Sequence, residues 1–218
     1  MIGSVREVLS AREDSDPVLD RIADPAVSLV TLTVTEKGYR RDLRTGALDL
    51  RDEAVLFDLK AAASEGAAAP RSTIGLLVAG LSRRRAHDAG PLTVVCCDNL
   101  PENGRVLARL VSDFVEATGE KTLRAWIAQN VAFPSTMVDR ITPATTDDDL
   151  LAIADDLGLD DLGAVVAEPF RQWIIEDDFA GPRPAWEHAG VTMVDDVRPW
   201  ESAKLRLLNA THSLLAYT

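Results

Sequence analysis

Two apolar periods alternate along the chain. Val27 to Thr35, VSLVTLTVT, is an uncharged, β-branched run and predicts a buried strand. Leu92 to Cys97 predicts a second strand, Gly163 to Glu168 a third and Val191 to Val194 a last one, with a short extended segment at Thr136 to Ile141 between Pro134 and Pro143. Between these runs the spacing turns helical. Helices are predicted over Pro17 to Ala23, over Ser72 to His87 with Ser72 or Thr73 as cap and Gly90 beyond the end, over Pro101 to Thr118, and over Thr122 to Asn130. Thr146 followed by three aspartates reads as a cap with an acidic first turn. From Arg40 to Arg71 the periodicity weakens, with an Ala-rich stretch around Ala61 to Ala69 that reads as a surface excursion. Strand, helix, strand is the order of a parallel α/β sheet. The last stretch, Glu201 to Tyr217, has no Gly or Pro and predicts a closing helix entered through Pro199 and Trp200.

Composition narrows the class. With 218 residues, 46% hydrophobic and 27% charged, the chain is long enough for one substantial core and has the balance of a globular protein. Its net charge of −12 argues against a nucleic-acid partner or an anionic membrane surface. The one basic cluster, Arg83 to Arg85, falls at a helix end and reads as structural. Cys96 and Cys97 are adjacent and poorly placed for a disulfide, and no leader or membrane-length apolar run is visible, so the expectation is a soluble cytoplasmic protein.

Candidate chemistry gathers at the end of the chain. At about 100° per residue, Glu201, Lys204, Asn209 and His212 fall at roughly 60°, 0°, 140° and 80° on the closing helix, so an acid, an amine, an amide and an imidazole share one side. Leu205, Leu208 and Leu215 lie near the same arc. A lysine set among leucines is expected to lose basicity and so to serve as a general base; a snorkelling lysine on an ordinary surface helix is the alternative. Thr35 and Glu36 follow one predicted strand and Asp98 and Asn99 another, at the carboxyl ends where α/β sheets bind ligands. Asp98 and Asn99 also suit a helix cap. Asp139 and Arg140 stand in an apolar segment as an ion pair or part of a polar site, and Glu176, Asp177 and Asp178 read as a solvated turn rather than a metal site. No G-x-G pair occurs among the 13 glycines, and His87, His188 and His212 lie too far apart in sequence to suggest zinc.

Taken together, LTVTEKGY (Leu32 to Tyr39), CDNLPENG (Cys97 to Gly104), FPSTMVDRITP (Phe133 to Pro143), EPFRQWIIEDDF (Glu168 to Phe179) and KLRLLNATH (Lys204 to His212) closely resemble the mannitol dehydrogenase family of polyol-specific long-chain dehydrogenases. The resemblance implies a Rossmann-like, mostly parallel sheet with flanking helices, ending in the first helix of an α-helical second domain. It implies a metal-independent, NAD(P)-dependent oxidoreductase acting on a secondary alcohol or ketone of a linear sugar alcohol or uronate. By the K-x-x-x-x-N-x-x-H motif, Lys204 is the implied general acid/base. Asn99 and Asn209 are the implied donors to the reacting oxygen, His212 a substrate-orienting group, and Glu201 the acid that gates proton exit. Val138 and Asp139 match substrate-binding positions, and Thr35, Glu36 and Asn99 are the expected cofactor contacts.

Against the family pattern, the glycine-rich dinucleotide loop is expected to precede this chain and most of the helical domain to follow it. Residues 1–196 are then an incomplete Rossmann-like domain and 197–218 the start of the second. Ser135 stands where many relatives have Asn. Weak cofactor binding by this chain alone and self-association through its open surfaces are the expected consequences. The alternative is a non-catalytic remnant or interaction module of that family.

Overall fold

The computed structural model describes residues 4–64 and 68–209, with residues 208 and 209 described by their backbone alone. Helix α1 (Asp16–Ala23) leads to strand β1 (Leu29–Leu32) and a single turn, α2 (Thr35–Gly38). Helices α3 (Glu53–Ala62) and α4 (Thr73–Ala86) precede β2 (Leu92–Cys96), and α5 (Asn103–Thr118) and α6 (Lys121–Asn130) precede β3 (Val131–Ala132). Strands β1, β2 and β3 form one parallel sheet in that order, with Leu29 opposite Thr93 and Leu92 opposite Val131. Every residue of β2 is buried, as expected for a central strand covered on both faces. Its core contains Leu77 and Leu81 of α4 and Leu107, Leu110 and Phe114 of α5.

The second half forms another three-stranded sheet. Strand β4 (Thr136–Asp139) pairs antiparallel with β5 (Gln172–Glu176), and β5 pairs parallel with β6 (Thr192–Val194). Helix α7 (Asp147–Leu157) begins at a complete capping box, with Thr146 Oγ1 accepting from the Asp149 amide and the Asp149 carboxylate accepting from the Thr146 amide. Helix α8 (Arg198–Ala203) carries Pro199 in its first turn and continues as a π-turn over Lys204–Asn209.

Two sequence expectations need correction. Gly163 to Glu168 is not a strand: Gly163 and Val165 are exposed, and the ladder is taken by Gln172–Glu176, whose Ile174 and Ile175 are fully buried between two partner strands. The weakly patterned 40–71 segment also holds a helix, α3, that its periodicity did not predict. Asp52 caps α3 by accepting from the amides of Ala54 and Val55, and Val55 enters the core. The buried Asp58 accepts from the amides of Arg71 and Ser72 and from Ser72 Oγ, tying α3 to the start of α4. The Arg83–Arg85 cluster is structural, as expected. Arg83 pairs with Asp16 and Asp20, while the buried Arg84 donates to the backbone oxygens of Ile22, Asp24, Ala89, Gly90 and Pro91.

One glycine locks the two sheets together. A Cβ at Gly104, in the first turn of α5, would lie 2.3 Å from Phe133 O and 2.6 Å from Pro134 O, backbone atoms that cannot rotate away. Gly104→Ala is therefore expected to cost about 1–3 kcal/mol in urea unfolding through overpacking of that junction.

Candidate active site

The site is built on the ends of β1 and β2. After β2 the chain turns at Asp98, whose side chain is buried and aimed at the neighbouring strand end. Asp98 does not cap α5. Its Oδ1 accepts from the Thr35 amide at 2.8 Å, its Oδ2 from the Val34 amide at 3.0 Å, and the Tyr39 hydroxyl donates to Oδ2 at 2.5 Å. Thr35 takes the left-handed conformation, φ 66°, which is costly for a β-branched residue and is held by that Asp98 contact. Burial and the hydrogen bond to Asp98 push the Tyr39 phenol far above its usual range, so it is a donor at any working pH.

Asn103 then joins this turn to β4. Its Nδ2 donates to Cys96 O, Asp98 O and Thr136 Oγ1, and its Oδ1 accepts from the Thr136 amide at 2.8 Å. Thr136 Oγ1 also donates to Cys96 O at 2.6 Å. The following residues of β4, Val138 and Asp139, are thereby carried past the exposed Asn99. Sequence reasoning gave Asn103 no role. Its only visible sign was a place in the motif CDNLPENG.

Lys204 comes to this point from α8. Its Nζ donates to Val138 O at 2.7 Å and to Asn99 Oδ1 at 3.3 Å, and lies 3.6 Å from Asp139 Oδ1. The lysine and aspartate side chains are 12% and 13% exposed, low enough for the contact to be partly desolvated yet open to a ligand. An ammonium can only donate, so Asn99 presents its oxygen to Lys204 and keeps the two donors of Nδ2 for another acceptor. Of the leucines expected around Lys204, Leu205 is 52% exposed and lines the small cavity beside it, while the side chains of Leu208 and Leu215 lie outside the described residues. The described atoms in contact with this amine are oxygens.

The structure thus brings Asn99, Val138, Asp139 and Lys204 together. Glu201 stands one turn before Lys204, and its Oε1 accepts from the Glu102 amide at 2.8 Å. A small cavity of about 80 Å³ is lined by Glu201, Lys204, Asn99, Val138 and Thr136, among others. Thr35 and Glu36 remain exposed beside the strand end, where Glu36 pairs with Arg41. His212 and the side chain of Asn209 lie outside the described residues; the π-turn places position 209 five residues, one i→i+5 step, from Lys204. Glu176 accepts from the Ser135 amide and pairs with Arg105, and Asp177 pairs with Arg183, which accounts for two of the three acids of that run. Ser135, where relatives often have Asn, is buried and its Oγ accepts from Arg105. Among the described residues no three His, Cys, Asp or Glu side chains converge on a metal position.

A larger cavity of about 750 Å³ opens from Lys204. One end is polar, with Asn99, Asp139 and Lys204; the walls carry Ile141, Trp173, Trp186 and Val191. Trp173 and Trp186 pack with ring centres 5.2 Å apart. Cys97 lines the cavity as well, with its thiol pushed up to about 12 by burial and by Cys96 and Asp98.

Three measurements test this reading. Asp98→Ala leaves the buried Tyr39 hydroxyl and two part-buried amides without their acceptor and is expected to destabilise the chain by about 3 kcal/mol in denaturant unfolding. Because burial holds Cys97 and Cys96 as neutral thiols well above neutral pH, iodoacetamide at pH 7 is expected to label neither until the chain is unfolded. Burial also raises the Glu201 carboxyl above its usual range. Its contribution to stability is then fully present below the ordinary carboxylate range and lost as pH rises through the raised value. The melting temperature of Glu201→Gln relative to the unaltered chain is accordingly expected to increase from acid to neutral pH.

The sequence and the fold both match known proteins. Residues 1–188 match the family model of the mannitol dehydrogenase Rossmann domain. The chain is 46% identical over 218 residues to D-mannonate oxidoreductase of Escherichia coli K12, covering 100% of this chain and 44% of that protein. It is equally 46% identical to the uncharacterized oxidoreductase YeiQ of the same organism, of which it covers 43%. The structure superposes with a TM-score of 0.88 on Pseudomonas fluorescens mannitol 2-dehydrogenase, solved as a ternary complex with NAD and D-mannitol, at 39% identity and over 97% of this chain and 42% of that one. The chain spans less than half the length of these relatives. By fold and by sequence, this chain belongs to the mannitol dehydrogenase family and carries its Rossmann domain.

Proposed function

We propose that the chain carries the reaction centre of an NAD(P)-dependent oxidoreductase that interconverts a secondary alcohol and a ketone on a linear polyol or aldonate. The observation that supports it most is the placement of Lys204 Nζ beside Asn99 and Asp139 at the polar end of the large cavity. The names of the relatives, a D-mannonate oxidoreductase and a mannitol 2-dehydrogenase crystallised with NAD, agree in reaction type. On this reading residues 1–196 are the dinucleotide-binding part and 197–218 open the helical substrate domain.

The described residues fit a dinucleotide's nicotinamide end. The cavity lies beyond the carboxyl end of β2, joins flat aromatic walls to a cluster of hydrogen-bonding groups, and thereby offers surface for a planar ring and polar partners for a hydroxylated carbon. Asn99 and Cys97 are the residues placed to hold that ring, and Thr35 and Glu36 stand at the next strand end for the rest of the molecule. When bound, the dinucleotide accepts hydride from the carbinol carbon or returns it to the ketone.

Lys204 moves the accompanying proton. In alcohol oxidation the hydroxyl proton passes to Nζ as the C–H bond breaks; in ketone reduction the ammonium returns it to the oxygen. Asn99 Nδ2, which has no partner among the described residues, donates to the negative charge that grows on the substrate oxygen, and Asn209 is assigned the second amide. Asp139 and Val138 O hold Nζ in place, and Asp139 faces the substrate hydroxyls beside it. The small cavity between Lys204 and Glu201 has room for water, so the proton leaves the lysine through water and Glu201 to solvent, with the Glu102 amide donating to Glu201 Oε1 and holding the carboxylate in place. His212 is assigned to a substrate hydroxyl by its motif position.

The decisive assay follows NADH absorbance with fructuronate and with fructose. Lys204→Ala is expected to lower turnover at least 100-fold, and Asn99→Ala about 100-fold, with the fold retained by circular dichroism. Turnover that survives Lys204→Ala removes this assignment of the acid/base.

A further inference from the structure

The last pair of the β4–β5 ladder sets Asp139 directly opposite Gln172. Directly opposed residues of an antiparallel pair extend to the same face, with Cβ atoms about 4.5–5.5 Å apart. Gln172 therefore stands on the face from which Asp139 meets Lys204 Nζ, and all three residues line the large cavity. The polar end of that cavity thus holds a second amide besides Asn99.

The Gln172 amide is unpaired. It is half-buried, and it has no hydrogen-bond partner among the described residues. The other buried or half-buried amide side chains described both hold bonds: Asn103 to Cys96 O, Asp98 O and the Thr136 amide, and Asn130 to Trp126 O. Polar groups drawn out of bulk water are ordinarily satisfied, so the exception at the reacting end of a cavity points to a ligand. Asp139 is only half engaged as well. Its Oδ1 faces Lys204, and Oδ2 has no hydrogen-bond partner among the described residues. An ionised carboxylate can only accept, whereas an amide nitrogen donates. Side by side, the two present the acceptor and the donor that one hydroxyl needs, since a hydroxyl both gives and takes a hydrogen bond.

We infer that Gln172 is a substrate-binding residue which, with Asp139, holds the hydroxyl on the carbon next to the one that reacts at Lys204. The hydroxyl donates to Asp139 Oδ2, and its oxygen accepts from Gln172 Nε2. The inference rests on the oxidoreductase reading and adds a requirement to it: the ketone carries a hydroxyl on the neighbouring carbon of its longer arm, and the reduced product is a vicinal diol. An analogue without that hydroxyl leaves a carboxylate oxygen and an amide facing each other with nothing between them, which is the condition for strong rejection. The carboxamide of a dinucleotide offers the same donor and acceptor, and the experiment separates the two.

The test follows NADH absorbance with the 218-residue chain, fructose or fructuronate, and the analogue of each that is deoxygenated beside the carbonyl on its longer arm. The unaltered chain is expected to favour the parent ketone by about 100-fold in kcat/KM. Gln172→Leu is expected to raise KM for the ketone about tenfold with a far smaller change in kcat, and to shrink the preference over the deoxy analogue about tenfold. Gln172→Glu, which keeps the length of the side chain but removes the donor, is expected to lose the ketone in the same way. Both variants should melt at the temperature of the unaltered chain, because no bond within the chain is removed. An unchanged KM for the ketone, a preference over the deoxy analogue that persists in full in Gln172→Leu, or a KM effect confined to NADH overturns the inference, the last by assigning the amide to the cofactor. A lower melting temperature with kcat and KM altered together in both variants overturns it in favour of a structural role. Failure of the oxidoreductase reading shows separately, as the absence of any Lys204-dependent turnover by the unaltered chain, and removes the inference with it.

Discussion

The Asp98 carboxylate is the contact on which the arrangement of this site depends. Two parallel strands end side by side with main-chain amides that the ladder no longer satisfies, and one buried side chain accepts from two of them. The same carboxylate takes the Tyr39 hydroxyl, which pins the turn after β1 against the core. Without an acceptor there, Thr35 would have no compensation for its left-handed backbone, and the loop that presents Asn99 would lose its anchor. The catalytic assignment of Asn99 therefore rests on its neighbour, which touches no part of the cavity of Lys204 and Trp173.

Rigidity is passed outward from that point through side chains rather than through the sheet. Asn103 spends both halves of its amide on joining β2 to β4, and Gly104 allows the backbones to approach closely enough for it to do so. The two three-stranded sheets share no ladder, so this polar seam is what sets Val138 and Asp139 opposite Asn99. Lys204 then meets acceptors from two separated parts of the chain, Asn99 and the Val138–Asp139 pair. A reacting group held in this way is positioned before a ligand arrives, which is the condition for efficient proton transfer.

Much of the fold could be read from the chain. VSLVTLTVT and LTVVCC are apolar without interruption because their strands are covered on both faces, and Ser72, Thr146 and Gly90 mark helix ends through local hydrogen bonding and backbone preference. The short apolar run Gly163 to Glu168 misled for a physical reason. Periodicity reports hydrophobicity, and a strand needs partners, which Gln172–Glu176 obtained on both edges instead. Helix α3 escaped notice because its burial is slight, limited to Val55 and Asp58, and its anchor is a hydrogen-bonded aspartate that carries no periodic signal.

At the site, the resemblance of the motifs to a known family pointed to Lys204, Asn99, Val138, Asp139 and Glu201, since motif spacing is a property of the chain alone. Their surroundings were not contained in that spacing. A regular helix put leucines beside Lys204, whereas α8 relaxes into a π-turn and leaves Leu205 half exposed. The oxygens around Nζ come from residues about 65 and 105 positions away in sequence. The sequence by itself determined which chemical groups are present and which strands and helices carry them, because those follow from local period and propensity. The tertiary structure alone decided which groups share a dielectric, a hydrogen bond or a charge, because these depend on distances through space between parts of the chain that local preferences do not connect.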